Sequence, residues 1–243
     1  MTLGTAYDYP TGRLLDEAGV DIVLVGDSLG MVVLGFPDTT HVTLDHMLHH
    51  VEATARGVKN ALLVGDMPIH SYDTVEQAVQ SAKKLFLAGA DAVKLEGGAA
   101  QAGNIRAIVE AGIPVVGHIG LLPQKVLEEG GYKIKGKSSA EEEALVRDVE
   151  AVAEAGACAV VVEGVTPHAA RQVTVHSSIP TLGIGSGSHT CDGDVVVIHD
   201  LVGAFPWFIP AFVKPRADVA GSMTAAVKEW MEDCYTEPGS ISS

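Results

Sequence analysis

Asp21-Ile22-Val23-Leu24-Val25-Gly26-Asp27-Ser28 governs how the whole chain is read. Four branched apolar residues in a row, without alternation, indicate a short strand buried on both faces. Such a strand needs helices on both faces of a sheet, or a closed barrel inside a ring of helices. The run stops at Gly26 and gives way to a carboxylate and a hydroxyl. Asp27 and Ser28 therefore stand at the C-terminal end of a buried strand, where parallel α/β folds bind ligands. Taken alone, Asp27 could equally be the cap of a loop.

The event recurs. Ala61–Asp66 is a second apolar run ending in Gly-Asp, and Ala90–Gly98 carries Lys94 and Glu96. Pro114–His118 ends in a histidine, Cys158–Glu163 in a glutamate, and Asp194–Asp200 in His199-Asp200. Ala18-Gly19, Ala88-Gly89, Ala111-Gly112 and Ala155-Gly156 each stand between a helical stretch and the next strand. Glycine just past a helix takes the left-handed conformation without a Cβ penalty, so the chain turns straight into the strand. This serial βα pattern predicts strands at 3–6, 22–25, 62–65, 92–95, 115–117, 159–162, 181–184 and 195–198, and with them a (β/α)₈ barrel. Eight βα units take about 250 residues, so the 243-residue chain is expected to be a single domain over 1–243, frayed from about 235. Helices are expected to open at Thr43, at an Asp73-Thr-Val-Glu76 capping box, at Ser139 and at Pro167, and a closing helix to run over 217–230. Two long irregular segments, 29–42 and 119–137, are candidate active-site loops. The second carries Lys125, Lys133, Lys135 and Lys137, which suits a flap over an anionic substrate as well as a solvated loop.

The formal net charge of −15 speaks against nucleic acid and against an anionic membrane surface as partners. It does not exclude an anionic substrate, because local lysines and a metal override a global field. No apolar run approaches the length of a membrane span. Cys158, Cys191 and Cys234 are odd in number and widely spaced, which fits reduced thiols in a cytoplasmic enzyme. Cys158 is expected in the core.

Asp27 and Asp66, at neighbouring strand ends and each after a glycine, are the candidate ligands of one hard cation. So few protein ligands leave open positions and suit Mg²⁺, with Glu96 holding a coordinated water outside them. Salt bridges or caps are the plain alternative. Lys94 and Glu96 are two apart on one strand and face the same way. A lysine beside a metal suits a substrate carboxylate or a developing enolate. His118 is a candidate acid, base or donor, or a satisfied core residue. Glu163 follows four apolar residues, and desolvation there favours proton uptake, as a carbon-acid base requires; a buried hydrogen-bonded glutamate is its rival. His46, His49 and His50 read as a solvated helix face rather than a zinc site. Gly183-Ile-Gly185-Ser-Gly187 is similar to a phosphate loop of barrels but equally suits close packing. His199-Asp200 is open between fixing a tautomer and structural bonding, and Asp192-Gly193 reads as a turn.

Thr5-Ala-Tyr-Asp-Tyr9, Leu24-Val-Gly-Asp27-Ser-Leu-Gly-Met31, Lys94-Leu-Glu-Gly-Gly98, Gly117-His-Ile-Gly-Leu-Leu-Pro-Gln124, Gly130-Gly-Tyr-Lys133 and Gly183-Ile-Gly-Ser-Gly187 occur in this order. Together they resemble the ketopantoate hydroxymethyltransferase family over about residues 5–214. The resemblance implies a barrel of the phosphoenolpyruvate mutase and isocitrate lyase type. It implies transfer of a hydroxymethyl group from 5,10-methylenetetrahydrofolate to 3-methyl-2-oxobutanoate, an α-keto acid, in pantothenate biosynthesis. Asp27 and Asp66 match the family's Mg²⁺ ligands, with Glu96 in the outer sphere. Ser28, Asp66 and Lys94 match the residues that hold the keto acid, His118 lies beside it, and Glu163 matches the base. A homo-oligomer is implied, commonly a ring of ten subunits. Set against the family pattern, the chain begins almost at Thr5, without the usual N-terminal helical segment. The site near strand six reads Glu163-Gly-Val-Thr-Pro in place of Glu-x-Val-Pro. A C–C lyase or mutase of the same barrel type, and a non-catalytic barrel, are the alternatives.

Overall fold

Short branched runs capped by glycine and joined by amphipathic helices close into a barrel of eight parallel strands in the computed structural model, which describes residues 1–236. The strands are β1 (Thr2–Thr5), β2 (Ile22–Val25), β3 (Leu62–Asp66), β4 (Ala92–Glu96), β5 (Val115–Gly120), β6 (Ala159–Glu163), β7 (Thr181–Ile184) and β8 (Gly193–Val196), each paired with its sequence neighbour and β8 with β1. The helices are α1 (Tyr9–Ala18), α2 (Leu29–Val32), α3 (Leu44–Ala55), α4 (Val75–Leu87), α5 (Ala102–Glu110), α6 (Val126–Glu129), α7 (Ser139–Glu154), α8 (Pro167–His176), α9 (Ile198–Leu201) and α10 (Val219–Thr236). The (β/α)₈ fold expected from the sequence is the fold observed. Two compact units divide the chain, Met1–Val196, which holds the whole barrel, and a second that begins at Val197. The expected fraying from about 235 falls mostly outside the described residues.

The interior follows from strand alternation. Leu3, Ile22, Leu24, Val64, Ala92, Val116, Ala159, Val161 and Leu182 fill it as a buried cluster. Positions two residues further along the same strands point the same way. Those positions are Asp66, Lys94, His118 and Glu163, with Glu96 next on β4. The apolar plug thus ends where the ionisable layer begins.

Local signals act as the residue types dictate. Gly19, Gly89, Gly112 and Gly156 all have positive φ, between 82° and 110°. Thr43 caps α3 and receives His46 N–H, while His46 Nδ1 accepts from Thr43 N–H. The cap of α4 is Thr74, one residue later than expected, and Gln77 closes the turn by accepting from Asp73 N–H.

Four expectations need correction. Strand eight lies at Gly193–Val196, two residues earlier than predicted, and Gly193 is not a turn residue. A Cβ on Gly193 would stand 2.3 Å from Met1 O, so the glycine is required by a close backbone approach inside the sheet. Asp192 instead accepts from Thr181 N–H and Oγ1–H. Cys158 precedes β6, is exposed, and donates from Sγ to Val115 O. The segments 29–42 and 119–137 are not wholly irregular, since α2 lies in the first and α6 in the second.

Candidate active site

Register assembles the site. Asp66 is paired with Lys94 across β3 and β4, Glu96 with His118 across β4 and β5, and Gly120 with Glu163 across β5 and β6. Gly120 has φ 96°, and a Cβ there would meet Glu163 O at 2.3 Å. Only glycine lets β5 run this close to the end of β6.

The side chains form one connected array. Lys94 Nζ lies 2.7 Å from Asp66 Oδ1. Asp66 Oδ2 accepts from Asp27 N–H at 3.1 Å. The His118 ring sits between two carboxylates, with Nδ1 3.4 Å from Glu96 Oε1 and Nε2 3.2 Å from Glu163 Oε2. Ser28 Oγ is 2.8 Å from Tyr7 OH. Asp27, Asp66, Lys94, Glu96 and His118 are buried. Glu163, expected to be buried, keeps a side chain 24% exposed, because it is the last residue of its strand and meets the mouth of the barrel. Every residue singled out in the sequence for this chemistry is therefore in one place.

Charge in the array is unbalanced. Burial, then Asp66 and Glu96, push the Asp27 carboxyl well above the usual range. Burial, then Glu96, push Asp66 up against the opposing pull of Lys94. Burial disfavours the Lys94 ammonium, but Asp66, Glu96 and Asp27 together hold it above its ordinary value. Burial also works against an ionised Glu96, and His118 and Lys94 more than compensate, leaving it low. His118 is pushed up to about 9, since Glu96 and Glu163 outweigh burial and Lys94. Four carboxylates (Asp27, Asp66, Glu96, Glu163) thus face two cations (Lys94, His118). The excess of two negative charges, and the reluctance of Asp27 and Asp66 to ionise together, fit a divalent cation with oxygen donors. Among the described residues no three His, Cys, Asp or Glu side chains form a metal cage.

Two residues of this network were not identified as functional in the sequence. Gln124, from the loop after β5, donates from Nε2 to Asp27 Oδ2 at 2.8 Å and to Met67 O at 3.0 Å, and its N–H donates to Glu96 Oε2. Tyr72 OH donates to Gln124 Oε1 at 2.5 Å. A loop glutamine and a tyrosine carry no pattern that announces burial.

His50 Nδ1 is 2.6 Å from Tyr7 O, and His46 belongs to the α3 cap. In the loop after β7, Ser186 is buried, and a Cβ on Gly183 would meet Ser186 Oγ at 2.6 Å and one on Gly187 would meet Pro167 at 2.9 Å, so close packing requires those two glycines. His199 and Asp200 lie on α9, in the unit that begins at Val197, where burial pushes the buried Asp200 up to about 6. Lys135 pairs with Glu129 at 2.5 Å, and Lys133 donates to Glu129 O.

Known proteins give the array its context. The family model of ketopantoate hydroxymethyltransferase matches residues 1–238. The 3-methyl-2-oxobutanoate hydroxymethyltransferase of Ignicoccus hospitalis is 50% identical over 234 residues, covering 96% of this chain and 88% of that one. Among solved structures, phosphoenolpyruvate phosphomutase from Streptomyces platensis subsp. rosaceus superposes with a TM-score of 0.69 at 18% identity, covering 98% of this chain and 87% of that one. Phosphonopyruvate hydrolase, solved in complex with oxalate and Mg²⁺, gives 0.64 at 15% identity and covers 98% and 94%. At such identities these two likenesses speak for the (β/α)₈ barrel alone. The match over nearly the whole sequence goes further: this chain is a transferase enzyme and belongs to the ketopantoate hydroxymethyltransferase family.

Proposed function

We propose that the chain catalyses the reaction of 3-methyl-2-oxobutanoate, 5,10-methylenetetrahydrofolate and water to ketopantoate and tetrahydrofolate, for pantothenate synthesis. The observation that carries this reading is the convergence of Asp66, Lys94, Glu96, His118 and Glu163 at the ends of adjacent strands, with Lys94 on Asp66 and His118 between Glu96 and Glu163, in a chain of this family. Asp27 and Asp66 are the residues that would hold Mg²⁺, which when bound supplies Lewis-acid polarisation of the 2-oxo group. The Mg²⁺ and oxalate bound by a protein of the same fold support this choice of ion. The Lys94 ammonium is aimed where the keto acid's negative charge develops, and Ser28 and Asp66 orient the acid. Glu163, at the rim, takes the proton from C3, and the resulting carbon nucleophile attacks the one-carbon unit of the folate. His118, whose Nε2 lies 3.2 Å from Glu163 Oε2, holds the carboxylate in place. Three free cysteines support a cytoplasmic setting.

Hydrogen exchange at C3 tests the reading without folate. In D₂O, the C3–H signal of 3-methyl-2-oxobutanoate is expected to disappear in a Mg²⁺-dependent manner. Exchange absent, or indifferent to chelation of the metal, counts against it.

We also propose a homo-oligomer, a decamer by family resemblance. Trp207, Phe208, Phe212, Met223 and Trp230 are exposed in the unit beginning at Val197, and large exposed apolar side chains of this kind are what a subunit interface would cover. Light scattering at micromolar concentration should give a mass above that of a dimer; a monomer would contradict the proposal.

A further inference from the structure

Gln124 is buried, and its side chain is bonded on every side. Its NH₂ group reaches a carboxylate oxygen, Asp27 Oδ2, and a carbonyl oxygen, Met67 O. Met67 O is an acceptor only, so the nitrogen must face it. The amide oxygen faces Tyr72 OH, which completes the set. The backbone N–H of the same residue holds Glu96. One residue thus ties together the ends of β2, β3 and β4 from the loop that follows β5. It does so without adding charge, whereas a lysine in its place would cancel part of the negative excess that suits a divalent cation.

We propose that Gln124, locked by Tyr72, is a positioning residue that occupies one oxygen of Asp27 and so presents the other to the cation. This inference rests on the metal reading above. A carboxylate held by one oxygen cannot swing to grip the ion with both, which keeps a coordination place for the substrate. Partners of metal ligands act this way by fixing the ligand's orientation, and their loss typically costs about 10–100-fold in metal affinity. Tyr72 acts one step further out, through Gln124.

Mn²⁺ binding, read by electron paramagnetic resonance on the full chain without substrate, provides the test alongside melting temperature. Gln124→Met keeps the length of the side chain and the backbone bond to Glu96. It is expected to weaken Mn²⁺ binding about 10–100-fold. Tyr72→Phe, the more conservative change, is expected to weaken it about 3–10-fold, less than that range because it acts through Gln124. In a Gln124→Met background, Tyr72→Phe should add almost nothing, since its effect runs through the amide. Asp27→Ala serves as the control. If Asp27→Ala loses Mn²⁺ while both other variants stay within about threefold of the wild type, the metal reading stands and this proposal is overturned, whatever happens to their melting temperatures. If wild type and Asp27→Ala bind Mn²⁺ alike, the metal reading itself has failed and this inference goes with it.

Discussion

Asp27→Ala is expected to lose more than about 100-fold in Mg²⁺-dependent C3–H exchange, because loss of even an outer partner of a ligand commonly costs 10–100-fold. The protein should nevertheless fold. Asp27 lies beyond the end of β2, outside the apolar cluster that fills the barrel. In the metal-free protein its ionised form is disfavoured by burial and by Asp66 and Glu96. A folded carboxyl pushed above its unfolded value binds protons more tightly in the native state, so it lowers stability as pH rises past about 4. Removing it lifts that load at neutral pH. Against this, Gln124 loses an acceptor, which costs about 1–3 kcal/mol for a buried donor left unmet. The two effects oppose each other, and the metal-free melting temperature should move little. The diagnostic difference is the response to Mg²⁺. Ligand that binds only the native state raises stability by mass action, so the wild type should melt higher with Mg²⁺ and the variant should not. Retained Mg²⁺-dependent exchange, or an equal Mg²⁺ shift in both proteins, would remove Asp27 from the metal site.

What could be seen in the sequence follows from what strands and helix ends demand locally. Ile22–Val25 and Ala159–Val162 are unalternating because both faces are covered, and that requirement is written in the residues themselves. The left-handed glycines at 19, 89, 112 and 156 answer a local steric rule and were visible for the same reason. Lys94 and Glu96 share a face because they are two apart, which needs no knowledge of neighbours. What was hidden depends on chain segments distant in sequence. Gly193 resembles a turn residue until Met1 O is brought against it. Gln124 becomes a site residue only when its loop folds back over β2, β3 and β4. Glu163 has the four apolar predecessors of a buried residue, yet burial of the strand does not extend to its last position. The candidate site was legible as a set of strand ends, while the hydrogen bonds that orient those groups were not.

Glu163→Gln is expected to lose C3–H exchange by about 10²–10⁴, the usual effect of removing a general base, while keeping the affinity for 3-methyl-2-oxobutanoate. The amide preserves size and one acceptor but cannot take the proton. The competing base is His118, whose Nε2 lies 3.2 Å from Glu163 Oε2. Its electrostatics argue against it. In the metal-free protein Glu96 and Glu163 push His118 up to about 9 despite burial and Lys94, which favours the ring with both nitrogens protonated over a ring that accepts a proton. The sign has a consequence for stability. A histidine whose folded value exceeds its unfolded value near 6.5 stabilises fully below about pH 6.5, and that contribution disappears as pH rises through about 9. In the metal-free protein, the stability gap between wild type and His118→Asn should therefore be wider at pH 6 than at pH 10. Exchange by His118→Asn should fall less than exchange by Glu163→Gln, because the histidine holds the base and does not replace it. If His118→Asn is the more damaging change and the stability gap is flat with pH, the ring is neutral and is itself the base. If Glu163→Gln loses binding in proportion to rate, the carboxylate holds the keto acid in place rather than moving its proton, and the base must be sought in a group that the metal itself orients.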